Sequence, residues 1–447
     1  MGIKLQVSFG RSTKRRLMYV LPRQCFLPPL FILPLVLATT MPASAQSENY
    51  NNDLPDKSNQ RLSVQALVDL QWVNNRDAQG SWLKRGAQAT RYADGDNGLQ
   101  LAQAGVAAQY RINPAWHINS SLIYYPSPEA EFALTEAFAH YKPAPKGLWV
   151  QQFRLGAFHL PISLENDGLL WSAEHTLTPS VINSWVGEEL RGMGAEWRWQ
   201  LPGKHRQSSW DFDIYAALYG FNDTAGAMLA WRGWAGHDRL SGLASDYPIT
   251  PIPIIATGEL IEQEARYKPY VEVDERPGFY LGANTQFSKT LQLEYFYYDN
   301  QAQTEAIEDG QYGWRTRFHH IASQWDITSN TQLKAQWIEG DTAMGGLAVL
   351  AGFRAKYLLL ARSAGLSTIA LRWEDFSTTD LDSTPVDTNI ENGESWTLNY
   401  AYLVQPQLKA SIEYKSWKSK RPGRHYIAYQ NVLVEAKQLL FSLRYYY

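Results

Sequence analysis

Three things are scarce in this chain of 447 residues: cysteine, uninterrupted apolar sequence and an excess of positive charge. Cysteine occurs once, at Cys25, and a lone thiol makes neither an internal disulfide nor a thiolate metal site. Beyond the first 45 positions no apolar run reaches the roughly 18 residues of a membrane-crossing helix, and mean hydropathy is −0.36. A helical membrane protein is thereby excluded. The formal net charge is −3, without the basic footprint that nucleic-acid binding requires, so no nucleic-acid partner is expected. What is abundant is aromatic: 17 Trp, 26 Tyr and 16 Phe in an otherwise polar chain. Such rings suit a boundary between water and lipid, where one edge is wet and the other is not.

The first 45 residues read as a cleaved signal peptide. Arg11, Lys14, Arg15, Arg16 and Arg23 supply a basic region, 26–37 an apolar one, and Ala43, Ser44 and Ala45 a small-residue cleavage site. Cys25 precedes the apolar stretch, so it leaves with the leader and is no lipid-anchor site. Without the six basic residues of that leader, 35 basic and 44 acidic residues remain, a net of −9. A polar segment, 46–60, then precedes the folded region, 61–447.

That region is a succession of period-two segments. In the first, Leu62, Val64, Ala66, Val68, Leu70 and Trp72 alternate with mostly polar neighbours, which puts apolar groups on one face of a strand and polar groups on the other. Tight turns such as Asn113-Pro114, Ser288-Lys289-Thr290, Thr328-Ser329-Asn330 and Gln405-Pro406-Gln407 alternate with long polar connections such as 377–393 and 418–431. Hairpins that turn briefly in the periplasm and extend outside have this rhythm, and a sandwich has no reason to keep it. The pattern predicts an all-β fold, a transmembrane antiparallel β-barrel of about sixteen strands: 61–73, 99–112, 115–124, 131–141, 148–159, 188–201, 209–221, 277–287, 290–300, 313–326, 330–340, 351–361, 366–376, 394–404, 407–418 and 435–447.

The last strand is the most specific. Leu439, Phe441, Leu443, Tyr445 and Tyr447 make an unbroken alternating apolar face. This resembles the final strand of Gram-negative outer-membrane barrels, which implies an outer-membrane location, lipid as partner and recognition by the barrel-assembly machinery. A second resemblance lies in Phe153-Arg154-Leu155-Gly156-Ala157-Phe158, leading through Pro161 to Leu164-Glu165 and on to Ser180, Trp185 and Arg191. A Gly-x-Phe strand core running into Pro-x-x-Leu-Glu resembles the phosphate-selective porin O/P family. The resemblance implies a porin: a passive channel for small hydrophilic solutes or ions, anions such as phosphate among them. It also implies a homotrimer, with no cofactor, and a third external loop (160–187) folded inward.

If the aromatic and aliphatic members of each strand face lipid, then Arg154, Arg315, Arg317, Lys334, Arg354, Lys356, Arg372 and Lys409 face the bore, with Glu196, Glu294, Glu374 and Glu413. The inward loop brings Glu165, Asp167 and Glu174 opposite them. A basic wall across from an acidic loop sets up a transverse field over a narrow aqueous gap.

Other constellations carry less. Ala93-Asp94-Gly95-Asp96-Asn97-Gly98 has oxygen ligands at alternating positions but lacks the later bidentate acid of a calcium loop. His319 and His320 are strand neighbours, so they point to opposite faces and cannot chelate one metal. No nucleophile elbow, phosphate-cradling loop or zinc spacing is present, so no catalysis is expected. Segment 222–276 holds Met228, Leu229, Trp231 and Trp234, too apolar for a solvated loop. It is expected to fold into the bore, cap the mouth or latch onto a neighbouring subunit. A non-conducting structural or adhesive barrel is the alternative to a channel.

Overall fold

The computed structural model describes residues 61–76, 81–84, 89–126, 130–256, 258, 260–426 and 431–447. The expected leader, 1–45, and polar segment, 46–60, lie outside the described residues.

Sixteen antiparallel strands close into one barrel. They are β1 (Leu62–Asn75), β2 (Gly98–Asn113), β3 (Trp116–Tyr125), β4 (Glu131–Tyr141), β5 (Val150–His159), β6 (Arg191–Leu201), β7 (Trp210–Gly220) and β8 (Gly278–Phe287). The second half comprises β9 (Leu291–Asp299), β10 (Arg315–Thr328), β11 (Thr331–Met344), β12 (Val349–Ala364), β13 (Ser367–Asp380), β14 (Glu391–Gln405), β15 (Leu408–Lys420) and β16 (Leu433–Tyr446). Every strand pairs with its sequence neighbour, and β1 closes the ring on β16, with Leu67 opposite Tyr446 and Asn75 opposite Gln438. Among the described residues, no helix is long and apolar enough to cross a membrane.

Burial along the strands is inverted relative to a soluble protein. In β1, Leu62, Val64, Val68, Leu70 and Trp72 are exposed, while Asp69 and Gln71 are fully buried. A closed ladder satisfies every backbone group internally, and an apolar outside with a polar inside is the form in which β-structure lives in lipid. The chain is an outer-membrane barrel. An even strand number places both chain ends of the barrel on the short-turn, periplasmic side.

The outer face is not uniform around the ring. On β1–β8 no Asp, Glu, Lys or Arg points outward among the described residues. On β10–β15 the outward positions near the long-loop ends are charged, with ion pairs Arg317–Asp341 (3.0 Å) and Lys356–Asp375 (3.5 Å) bridging neighbouring strands. Of these strands, β11 and β13 run four residues past their expected ends, to Met344 and Asp380. Period-two hydropathy fades where both faces are polar, so the sequence pattern stops short of the ladder.

Candidate functional site

Two segments enter the bore and determine its shape. The first, 160–190, leaves β5 just past Gly156, whose φ is +131° and whose missing Cβ would collide with the Ala137 carbonyl and the Phe138 backbone. Only glycine fits there. The segment ends in α1 (Val181–Glu189), started by Ser180, whose hydroxyl accepts the Asn183 amide at 3.3 Å. Every residue of α1 is buried, as befits a helix enclosed on all sides.

The wall of the opposite half holds this segment by its backbone. Arg372 on β13 reaches Glu165 (3.1 Å) and donates to the carbonyls of Thr178 and Pro179 (both 2.9 Å). Glu374 accepts the Val181 amide at 2.8 Å, and Glu413 on β15 accepts those of Leu177 and Thr178. Lys334 on β11 donates to the Leu164 carbonyl (2.7 Å) and to Glu174 (2.8 Å). Strands β11, β13 and β15 lie six to eight places around the ring from β5, so the segment crosses the bore. Burial opposes the Glu174 charge, but Lys334 and His175 outweigh it and hold that carboxyl down at about 2.

The second segment, 221–277, packs on the first. Arg232 forms a bidentate pair with Glu188 (2.6 and 2.7 Å), and the Tyr267 hydroxyl donates to Glu189 at 2.5 Å. The Trp234 amide donates to Glu391 (2.9 Å) and its indole to the Ser377 carbonyl (3.0 Å). Burial works against the Glu188 charge, yet Arg232 and His237 bring that carboxyl down to about 2. Around Trp185 the interior is an apolar core, with Phe353 at 5.2 Å and Phe318 at 5.6 Å between ring centroids.

What the two segments leave open is a polar chamber of about 440 Å³ at the short-turn end. Its wall is the inner face of β4–β10 and its ceiling includes Pro161, Asn166, Asp167 and Trp171. Across the wall runs an ion-pair ladder. Arg154 forks onto Glu196 (2.9 and 2.6 Å), Arg198 binds Asp213 (2.6 Å), and Tyr280 donates to Glu196 (2.6 Å). Arg154 also lies over the Phe158 ring at 4.2 Å. Burial pushes the Asp167 carboxyl up to about 6, with Lys334 opposing.

Of the charged residues expected to face the bore, the chamber takes Arg154, Asp167, Glu196 and Glu294. Glu165 and Glu174 lie on segment 160–190, where they neutralise Arg372 and Lys334 by direct contact. The transverse field expected between free walls is therefore mostly quenched.

Arg315, Arg317, Arg354 and Lys356 were expected inward and are on the outer face. They alternate with the buried Thr316, Phe318, Phe353, Ala355 and Tyr357 and share a side with the exposed Ile321, Trp325, Leu358 and Leu360. The expectation assumed a wet lumen everywhere. Here the two segments fill it with tryptophan, so the aromatic side of β10 and β12 turns inward to meet them. Sequence reasoning also passed over Gln286, Gln292, Gln324, Arg198 and Asp213 on the chamber wall, although their place on the polar side of strand alternation could have found them.

His319 and His320 do point to opposite sides, toward Tyr295 outside and Gln336 inside. In the 93–98 turn, Asp96 is engaged by Lys84 and by the Ala93 amide. Asp223, Glu272 and Asp274 bring ligand-type oxygens within 4.8 Å of one another, but these carboxylates accept the backbone amides of Val273, Phe221 and Arg276, which accounts for their proximity.

No family model and no curated protein matches the chain. Similar solved structures include a loop-L8 deletion mutant of OmpT, an outer membrane protein of Vibrio cholerae (10% identity, TM-score 0.49, covering 87% of this chain and 100% of that one). An anion-selective porin from Comamonas acidovorans is similar at 8% identity and TM-score 0.49, over 86% and 99% of the two chains. Salmonella typhi OmpF in complex with daunomycin is similar at 9% and 0.47, over 86% and 97%. At such identities and scores these likenesses decide neither the family nor what the bore carries.

Proposed function

We propose that this protein is an outer-membrane channel through which small hydrophilic solutes or ions diffuse passively, with segment 160–190 as its constriction. The chamber carries the reading. The barrel fills its volume with aromatic rings around Trp185, yet around this space it keeps amides and charged groups, a lining suited to passing polar solutes. The O/P resemblance points to anions such as phosphate. The chamber favours cations and neutral solutes instead: Arg154 and Arg198 are engaged by Glu196 and Asp213, and Asp167, Asp211 and Glu294 also face the space. Assembly as a homotrimer through the charge-free outer face of β1–β8 belongs to the same reading.

Folded protein in a planar bilayer should give discrete conductance steps, with a reversal potential of cationic sign in a salt gradient. A correctly closed barrel that conducts nothing would overturn the channel. It would leave the alternative, a structural or adhesive barrel, which the packing of 221–277 across the external half supports.

A further inference from the structure

We propose that the chamber is a binding station for a neutral, hydroxyl-rich solute, a mono- or disaccharide, rather than for a charged one. This deepens the channel reading and rests on it for its physiological sense.

The juxtaposition that carries the proposal is a row of three glutamines on three adjacent strands. Gln292 on β9 lies in register with Gln286 on β8 and with Gln324 on β10, and all three line the chamber. Neighbouring strands are about 4.8 Å apart, so the row presents amides at a spacing that one sugar ring spans. Each amide offers both donor and acceptor, and a hydroxyl is both acceptor and donor. Hydrogenphosphate carries one hydroxyl against three acceptor oxygens, so it would leave most of the amide oxygens unmatched.

The adjacent rung continues the pattern, with Asn284 paired to Asp213 and to Glu294. The Asn284 amide nitrogen reaches Glu294 at 3.3 Å, while its oxygen is buried without a protein partner. A carboxylate flanked by amides is a strong acceptor for hydroxyl protons. The two guanidinium groups that could bind phosphate already form charge-assisted pairs with Glu196 and Asp213. A dianion would have to break these pairs and then meet Asp167 and Glu294. A neutral polyol meets no such cost. The volume, about 440 Å³, falls within the roughly 300–1,000 Å³ of small-molecule sites.

The test uses detergent-folded full-length barrel and two readouts. Binding is followed by tryptophan fluorescence, since Trp171 forms part of the ceiling, with maltose, glucose and inorganic phosphate as probes. The same solutes are added to the short-turn side of single channels in a bilayer. Maltose should bind saturably and block current, phosphate should do neither, and a Q286A/Q292A/Q324A variant should bind maltose roughly tenfold more weakly. A Gln324→Asn variant, which keeps an amide donor and acceptor, checks that any loss is not misfolding; it should keep measurable maltose binding. Saturable phosphate binding with maltose silent would overturn the proposal, as would conducting channels indifferent to maltose. Maltose binding by a barrel that does not conduct would uphold the site and overturn the channel reading alone.

Discussion

At the scale of single residues, the facing of a side chain decides its effect on the bore. Asp167 sits on the chamber ceiling with its carboxyl raised by burial to about 6. For a carboxyl raised above its ordinary value of 3.8, the folded state favours the proton; the associated stability is full below 3.8 and is lost as pH climbs through 6. The same titration adds a negative charge to the chamber. Cation preference, measured as reversal potential in a salt gradient, should therefore rise between about pH 5 and pH 7, and Asp167→Asn should reduce that rise. Arg315→Ala and Arg317→Ala, on the outer face, should leave the reversal potential unchanged. These opposite expectations show the limit of the sequence at this scale. Alternation separates two faces but does not say which is inner when both are apolar, as along 353–361. Arg154 was legible because the sides of β5 differ; Arg354 was not.

At the scale of elements, the inward segments are held by buried charge pairs rather than by covalent links. The Arg232–Glu188 bidentate pair joins 221–277 to α1 with both side chains almost fully buried. Removing one partner of such a pair costs about 3–5 kcal/mol, because the other charge is left buried alone. Arg232→Ala should therefore detach the second segment without opening the ring, whose ladder it does not join. The expected readout is new protease cleavage within 221–277 together with higher single-channel conductance, both partly reversed in Arg232→Lys. If cleavage and conductance stay at wild-type values, the pair does not tether the segment. The sequence showed that 222–276 is too apolar to be solvated and that 160–187 is long enough to turn inward. It did not show α1, a nine-residue helix inside an all-β pattern, whose chief local signal is the capping serine at position 180.

At the scale of the whole molecule, closure depends on the last strand. β16 ladders with both β15 and β1, and the Tyr447 amide donates to the Ala66 carbonyl at 2.9 Å. Deleting 439–447 should leave two unpaired edges in lipid, which no membrane structure tolerates. The expected outcome is loss of the compact, detergent-resistant species on unheated gels and of all conductance. Strand number, hairpin order and the lipid-facing side of β1–β8 were determined by the sequence alone, because two-residue periodicity and turn chemistry are local properties of the chain. Where the bore is dry, which charges cancel and where a polar chamber survives were decided only by the tertiary structure. Those outcomes depend on contacts between residues more than two hundred positions apart, such as Arg372 with Glu165 and Glu413 with Leu177. No local pattern encodes a pairing that exists only after the ring has closed.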